Sequence, residues 1–323
     1  MNLLGSVLAL AGLVLAVALF AREDVGAIAA LLVVAGPGLV LASLVHIVPM
    51  AMNAHAWQRL WQRPGRLSLL ALTWATWLRE AVNALLPVAR IGGEIVAYRS
   101  VRGAGAGSAE AAATLVVDMA LSILSQAGFA IVGLAGLLAV ARVPIDTLQI
   151  ALAVVALIVA GLAFIAVQRA GTLSAIAARL NRWAAGRLVR MLAGTMQIDS
   201  AIRAVYARRR DVVACTAWQC AAWMAGAAEI WAALYFLGAP CNVVDAAVIE
   251  ALVQAASSAA FVVPGALGVQ EGAFVVIGAA LGIDGATALA LAAARRMRDL
   301  VVFLPGLLAW QWEEARLRRM PSR

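Results

Sequence analysis

Phe261-Val-Val-Pro-Gly-Ala-Leu-Gly-Val-Gln-Glu-Gly-Ala-Phe274 breaks an apolar run with a proline, three glycines and a carboxylate. Pro264 removes a backbone donor, and Gly265, Gly268 and Gly272 loosen the helix around it. Glu271 follows Pro264 by seven residues, with no basic residue nearby and long apolar runs on both sides. A carboxylate in such a setting is expensive unless it is used or paired. A second copy stands upstream in Asn83-Ala-Leu-Leu-Pro87-Val-Ala-Arg-Ile-Gly92-Gly93-Glu94, where proline and glutamate are again seven residues apart. Repeated broken segments in corresponding halves of a chain point to a transporter's binding site.

The composition sets the solvent. Apolar residues make up 64% of the 323 residues and charged ones 13%, which excludes an ordinary soluble domain and reads as a polytopic membrane protein. All 25 basic residues are arginine and the net charge is +8. In so apolar a chain that excess suits anionic lipid headgroups rather than nucleic acid. Cys215, Cys220 and Cys241 have no zinc-like spacing and read as small buried residues. No metal or cofactor is expected. Leu3 to Phe20 lacks a basic leader and reads as a retained first helix.

Taken in order, Ala27 to about Val48 is a second span. Trp57 to Arg66, with three arginines and a Pro-Gly turn, reads as a cytoplasmic interfacial loop flanked by His46 and His55, which are taken as structural. Residues 67–98 carry Arg79 and Glu80 and run into Pro87, so they make a poor simple span. Ala111 to Val140 is the next span, with Asp118 near its start and Gly128, Gly133 and Gly136 available for close helix contact. Thr147 to Val167 follows. Residues 169–211 are arginine-rich, and Leu173, Ile176, Leu180 and Trp183 recur at helical spacing. They read as a basic amphipathic interfacial segment or, more plainly, as a solvated loop that sets topology. Val212 to Leu237 contains Glu229, and Ala286 to Trp312 carries Arg295, Arg296, Arg298 and Asp299.

Arginine-rich loops place 59–66, 99–102, 169–211 and 316–323 inside, and the turns near 22, 142, 240 and 284 outside. Residues 67–98 then begin and end inside, whereas 246–282 begin and end outside. Each segment must enter the bilayer and return, which makes an inverted-topology pair of re-entrant hairpins. The fold expected is all-α, a single transmembrane domain over 1–323 with about six full spans plus two re-entrant hairpins. The hairpin tips should meet at one cavity, with Glu94 and Glu271 approaching each other across a pseudo-two-fold axis.

Acids and arginines in apolar sequence pair with each other or face water, because an unpaired charge at the bilayer centre costs about 2.5–3.5 kcal/mol on the lenient insertion scale. The candidates for pairing are Arg79, Glu80, Glu94, Arg99, Asp118, Glu229, Glu250, Glu271, Arg295, Arg296, Arg298 and Asp299. Two readings stand side by side. In one, Arg295, Arg296, Arg298 and Arg99 bind an anionic headgroup, with Asn83, Glu94 and Glu271 in the translocation site and Arg79, Glu80, Asp118, Glu250 and Asp299 as secondary members. In the other, the acids only pin hairpin turns formed by Pro87, Gly92, Gly93, Pro264, Gly265 and Gly268. An enzyme is not expected, since two histidines and no Asp-rich metal motif offer little to build one on.

Asn83 to Pro87 with Gly93, Glu94 and Arg99, and Pro264, Gly265 and Gly268 with Glu271, Gly272 and the arginines from Arg295, resemble the flippase-like, lysylphosphatidylglycerol synthase transmembrane-region family. Within it the chain is most similar to the member associated with hopanoid biosynthesis. The resemblance covers nearly the whole chain and implies movement of polar lipids or lipid-linked glycans between leaflets. Two departures matter. The resemblance does not extend to an aminoacyl-transferase domain, so lipid lysylation is not expected, and Asp118-Met119 stands where a Glu-Arg pair is expected. The function expected is translocation of a polar-headgroup lipid, a hopanoid or glycolipid, across a bacterial inner membrane, with both termini cytoplasmic. Membrane lipids and lipid-biosynthesis enzymes are the expected partners, and nucleic acid is not. The alternatives are a membrane scaffold for lipid-synthesis enzymes, or a lipid-headgroup transferase or phosphatase.

Overall fold

The computed structural model describes residues 3–62, 67–86, 92–140, 189–260 and 263–319, with the single residues 155 and 159. Among them the structure is helical, without strands. The helices are α1 (Leu3–Arg22), α2 (Val25–Val45), α3 (Ile47–Gln58), α4 (Leu69–Leu85), α5 (Gly92–Gly103), α6 (Ser108–Val140), α7 (Val189–Ala207), α8 (Arg209–Phe236), α9 (Val243–Ala259), α10 (Val269–Ala280), α11 (Gly285–Arg298) and α12 (Leu304–Arg319). Pro87, the turn near 142 and the Leu173 to Trp183 stretch lie outside the described residues.

Short polar side chains start several of these helices by accepting backbone N–H bonds that have no intrahelical partner. Asp24 caps α2 at Gly26 (2.8 Å), Ser68 caps α4 at Ala71 (3.1 Å) and Asn242 caps α9 at Asp245 (2.8 Å). Asp284 caps α11 at Thr287 (2.9 Å), and that backbone N–H holds its carboxyl below the usual carboxylate range. Breaks have equally local causes. Gly36 leaves helical geometry (φ 32°) just before Pro37 and bends α2. Asp299–Phe303 forms a π turn ahead of Pro305, whose ring and missing N–H cannot follow an unbroken α-helix.

The solvent preference of a soluble protein is inverted. Val34 is 81% exposed and Leu70 79%, whereas Arg295 and Glu250 are each 3% exposed. Among the described residues, Val25–Gln58 and Ser108–Val140 are each long and apolar enough to cross a bilayer. Two apolar cores are the largest among the described residues. One gathers Leu39, Ile230, Ile249, Phe274 and Leu289, and the other Trp57, Trp61, Leu72, Ala97 and Ile202. The second holds both tryptophans of the stretch read as an interfacial loop, whose residues 63–66 lie outside the described residues. Trp57, near the end of α3, is 0% exposed and Trp61, just after it, 1%, because both rings pack into this core.

A three-helix unit occurs twice. In each, a 17-residue helix is followed by a 12-residue one, α4 and α5 in the first and α9 and α10 in the second. The register is constant at 177 residues, from 94 to 271 and from 108, the start of α6, to 285, the start of α11. The turn joining the second and third helices is copied in detail. Gly105 (φ 94°) and Gly282 (φ 78°) end the short helices in left-handed geometry. Ala106 N–H donates to Val101 O at 3.0 Å, and Ile283 N–H to Gly278 O at 2.8 Å, the same closing bond 177 residues on.

Close packing between α6 and α9 rests on two of the three glycines singled out in α6. A β-carbon at Gly133 would stand 2.5 Å from Ala251 Cβ and one at Gly136 2.8 Å from Val248, while Gly128 has nothing within 4 Å. Gly133→Ala should therefore lower the thermal unfolding midpoint of the detergent-purified protein, at a cost of about 1–3 kcal/mol. Gly128→Ala should leave it unchanged or raise it slightly. Equal effects of the two substitutions would contradict this packing.

Candidate functional site

Glu94 and Glu271 occupy the same place in the two units, the third residue of a 12-residue helix. A carboxylate in the first turn of a helix meets its positive end. Glu271 Oε2 accepts the Gly268 N–H at 2.7 Å, while its Oε1 accepts from Arg296 Nε (3.0 Å) and Nη2 (2.7 Å). Arg296 Nη1 donates to the Gly265 carbonyl at 2.9 Å. One guanidinium thus clamps both the tip of the hairpin, which turns at Pro264–Ala266, and the helix that leaves it. Gly265 (φ 61°) and Gly268 (φ 77°) supply the left-handed geometry the tip needs.

In the first unit Asn83 Oδ1 accepts the Gly93 N–H at 2.9 Å, tying the end of α4 to the start of α5. Gly92 opens α5, and a β-carbon on Gly93 would stand 2.6 Å from the Asn83 amide. Glu94 lies 3.7 Å from Arg79 Nη1, which donates to Asp118 Oδ2 at 2.8 Å. Gln219 Nε2 donates to Asp118 Oδ1 at 3.0 Å, and the Trp57 ring lies 5.8 Å from the Arg79 guanidinium. Glu94 and Glu271 therefore belong to different ion-pair groups. The hairpins meet elsewhere: a β-carbon on Gly265 would lie 3.9 Å from the Ala84 carbonyl near the end of α4.

The arginine cluster sits at this junction. Arg295 Nη2 bonds Glu250, and its Nε lies 3.7 Å from Glu229 Oε1. Arg298 Nε donates to Asp299 Oδ1 at 3.0 Å, and its Nη1 is 3.6 Å from Glu229 Oε2. Asp299 Oδ2 is 3.7 Å from Arg296 Nη1, joining the two halves of the cluster. A small cavity lined by Ser43, Glu229 and Arg295 has room for about one water. Arg99 does not take part: it is half exposed and pairs with Glu314 at 2.9 Å.

Asp118 and Arg295 are 177 residues apart, so the third helix of each unit uses the same position with opposite charge. Arg79–Asp118 ties first helix to third in one unit, and Glu250–Arg295 does so in the other. Sequence reasoning undervalued two members of the cluster. Glu229 is its hub, within 3.7 Å of Arg295, Arg298 and His46. His46, taken as structural, ends α2 inside the cluster, 2.9 Å from Glu229 and 3.5 Å from Glu80. The one early signal was the placing of both in long apolar runs.

The profile of the family described as "Lysylphosphatidylglycerol synthase TM region" matches residues 2–306. The chain belongs to that family. It is accordingly a membrane protein with transmembrane helices, which accounts for apolar side chains outside and ion pairs within. The match does not separate the hopanoid-associated member from the rest of the family. No curated protein and no solved structure matches the chain.

Glu250→Gln leaves the buried Arg295 short of a partner and should destabilise the purified protein by about 3–5 kcal/mol. Adding Arg295→Gln should recover most of that loss in the same thermal-unfolding measurement. A double variant no more stable than Glu250→Gln would mean that the pair is not a closed unit.

Proposed function

We propose that the protein translocates a lipid with an anionic or glycosylated headgroup, hopanoids and glycolipids being the candidate cargo, between the leaflets of the bacterial inner membrane, with both termini cytoplasmic. The observation that carries this reading is the cluster of buried Arg295 and Arg298 with the partly exposed Arg296, beside the contact between two helical hairpins. A family defined by a lipid-synthase membrane region supplies the lipid context.

Helices of 12 residues span about 18 Å, well short of a hydrocarbon core of about 30 Å. This favours α4–α5 and α9–α10 as re-entrant hairpins, and the distribution of arginine-rich loops favours their entry from opposite faces. Arg296 is the accessible member of the cluster, its side chain 28% exposed, and its forked N–H groups hold Glu271. A headgroup phosphate or carboxylate oxygen can accept the same two N–H groups and would compete for that fork. The amino-terminal ends of α5 and α10 add positive potential next to the same junction. Exchange of Arg296 between Glu271 and the headgroup would then link cargo binding to the conformation of the hairpin tip, because Glu271 also holds the Gly268 N–H.

Reconstitution into phosphatidylethanolamine/phosphatidylglycerol liposomes tests this. Leaflet exchange of a fluorescent phosphatidylglycerol or glycolipid should occur with the wild type, and Glu271→Gln should reduce it to the protein-free rate. Chemical turnover of the lipid would point instead to a headgroup enzyme. Neither exchange nor turnover would leave the scaffold.

A further inference from the structure

His46 stands where α2 ends and α3 begins, and its two ring nitrogens face different partners. Nδ1 is 2.9 Å from Glu229 Oε2 and 3.2 Å from Arg298 Nη1, while Nε2 is 3.5 Å from Glu80 Oε2. The ring stands edge-on to Phe303, centroids 5.5 Å apart. The charged groups around it come from every neighbouring element. They are Glu80 on α4 with Arg79 beside it, Glu229 on α8, Arg298 on α11, Arg295 reached through Glu229, and Asp299 of the π turn reached through Arg298.

This geometry fits two protonation states without moving the backbone. A neutral imidazole has one N–H and one lone pair, whereas the imidazolium has two N–H groups and no acceptor. With its N–H on Nε2 toward Glu80, the neutral ring accepts from Arg298 Nη1 at Nδ1. A proton added to Nδ1 turns that nitrogen into a donor, to Glu229 Oε2, and removes the acceptor that Arg298 was using. One proton thus exchanges Arg298 for Glu229 as the partner of Nδ1.

Charge balance points the same way. Glu80, Glu229, Glu250, Glu271 and Asp299 are five carboxylates joined through ion pairs to the three guanidinium groups of Arg295, Arg296 and Arg298 and to His46. Carboxylates outnumber arginines by two, an imbalance that is costly in apolar surroundings. A proton on His46 halves it. Among the described residues, the ion pair that Glu80 makes is with His46.

We propose that His46 is the proton-binding site that couples the translocation cycle to protons, binding at Nδ1 to join Glu80 of the first hairpin to Glu229 and to release an Arg298 N–H for an anionic headgroup. Loss of the proton returns that N–H to the ring. The proposal rests on the lipid-translocation reading for its cycle, but its proton site can be observed without any lipid.

The chain holds two histidines, so 15N-histidine labelling of the full-length protein in micelles gives two imidazoles, assigned with His55→Asn. The His46 Nδ1 signal should pass from protonated to lone-pair form as the pH is raised through the histidine range of about pH 5 to 8. Glu80→Gln should move that transition toward acid pH. An imidazole that keeps one state over the whole range overturns the proposal. In the liposome assay with fluorescent phosphatidylglycerol, the wild-type rate should change about tenfold per pH unit on the limiting side of the transition. His46→Gln keeps a hydrogen-bonding side chain without a titratable proton, and its rate should be flat in pH. A His46→Gln protein with the wild-type pH profile overturns the coupling even if the imidazole titrates. Wild-type protein that moves no lipid at any pH overturns the translocation reading and the coupling with it, while the imidazole titration still decides the proton site.

Discussion

A guanidinium taken out of water must find a carboxylate, and most of the interior follows from that requirement at Arg295. It lies between Glu250 of α9 and Glu229 of α8, so three helices are fixed by one side chain. Breaking such a pair costs several kcal/mol because the surviving charge stays buried. Glu229 is in turn shared with Arg298 at the end of α11 and with His46 at the end of α2, which draws α2 into the same unit. The apolar cores fill the space on either side of these contacts.

The two three-helix units show how the arrangement is assembled. They share helix lengths, a proline-to-glutamate spacing, a left-handed glycine and its closing hydrogen bond, all in one register. They differ in what the shared positions carry, aspartate at 118 against arginine at 295. The first unit ties Arg79 to Glu94 and Asp118, whereas the second places three arginines on α11 and draws acids from α8, α9 and α10 toward them. Similar frameworks thus hold unlike chemistry, and the polar centre of the molecule is asymmetric.

What was legible in the sequence followed spacing, and what was hidden followed contact. Pro264, Glu271 and their upstream copies could be read because seven residues separate each pair on one short segment. Gly133 and Gly136 were readable as contact glycines, but Gly128 gave the same signal from an exposed face. His46 and Glu229 meet across 183 residues, a separation that leaves no periodic trace. Trp57 and Trp61 beside arginines resemble an interfacial belt in sequence. In the folded chain both rings are buried in a core built from residues as distant as Ile202, a grouping the sequence does not display.

The π turn at Asp299–Phe303 has a further consequence. It holds one residue more than an α-helical turn, so every side chain after it is rotated by about 100° relative to an uninterrupted helix. Arg295 and Arg298 can therefore point inward while, on the same continuous rod, the Val302 carbonyl accepts from Trp77 Nε1 of α4 and Trp312 faces outward at 62% exposure. The wide turn acts as a phase shifter between the arginine-bearing segment and the helix that packs on α4. The loss of a single residue there would set α12 against α4 on the wrong face without touching any of the arginines.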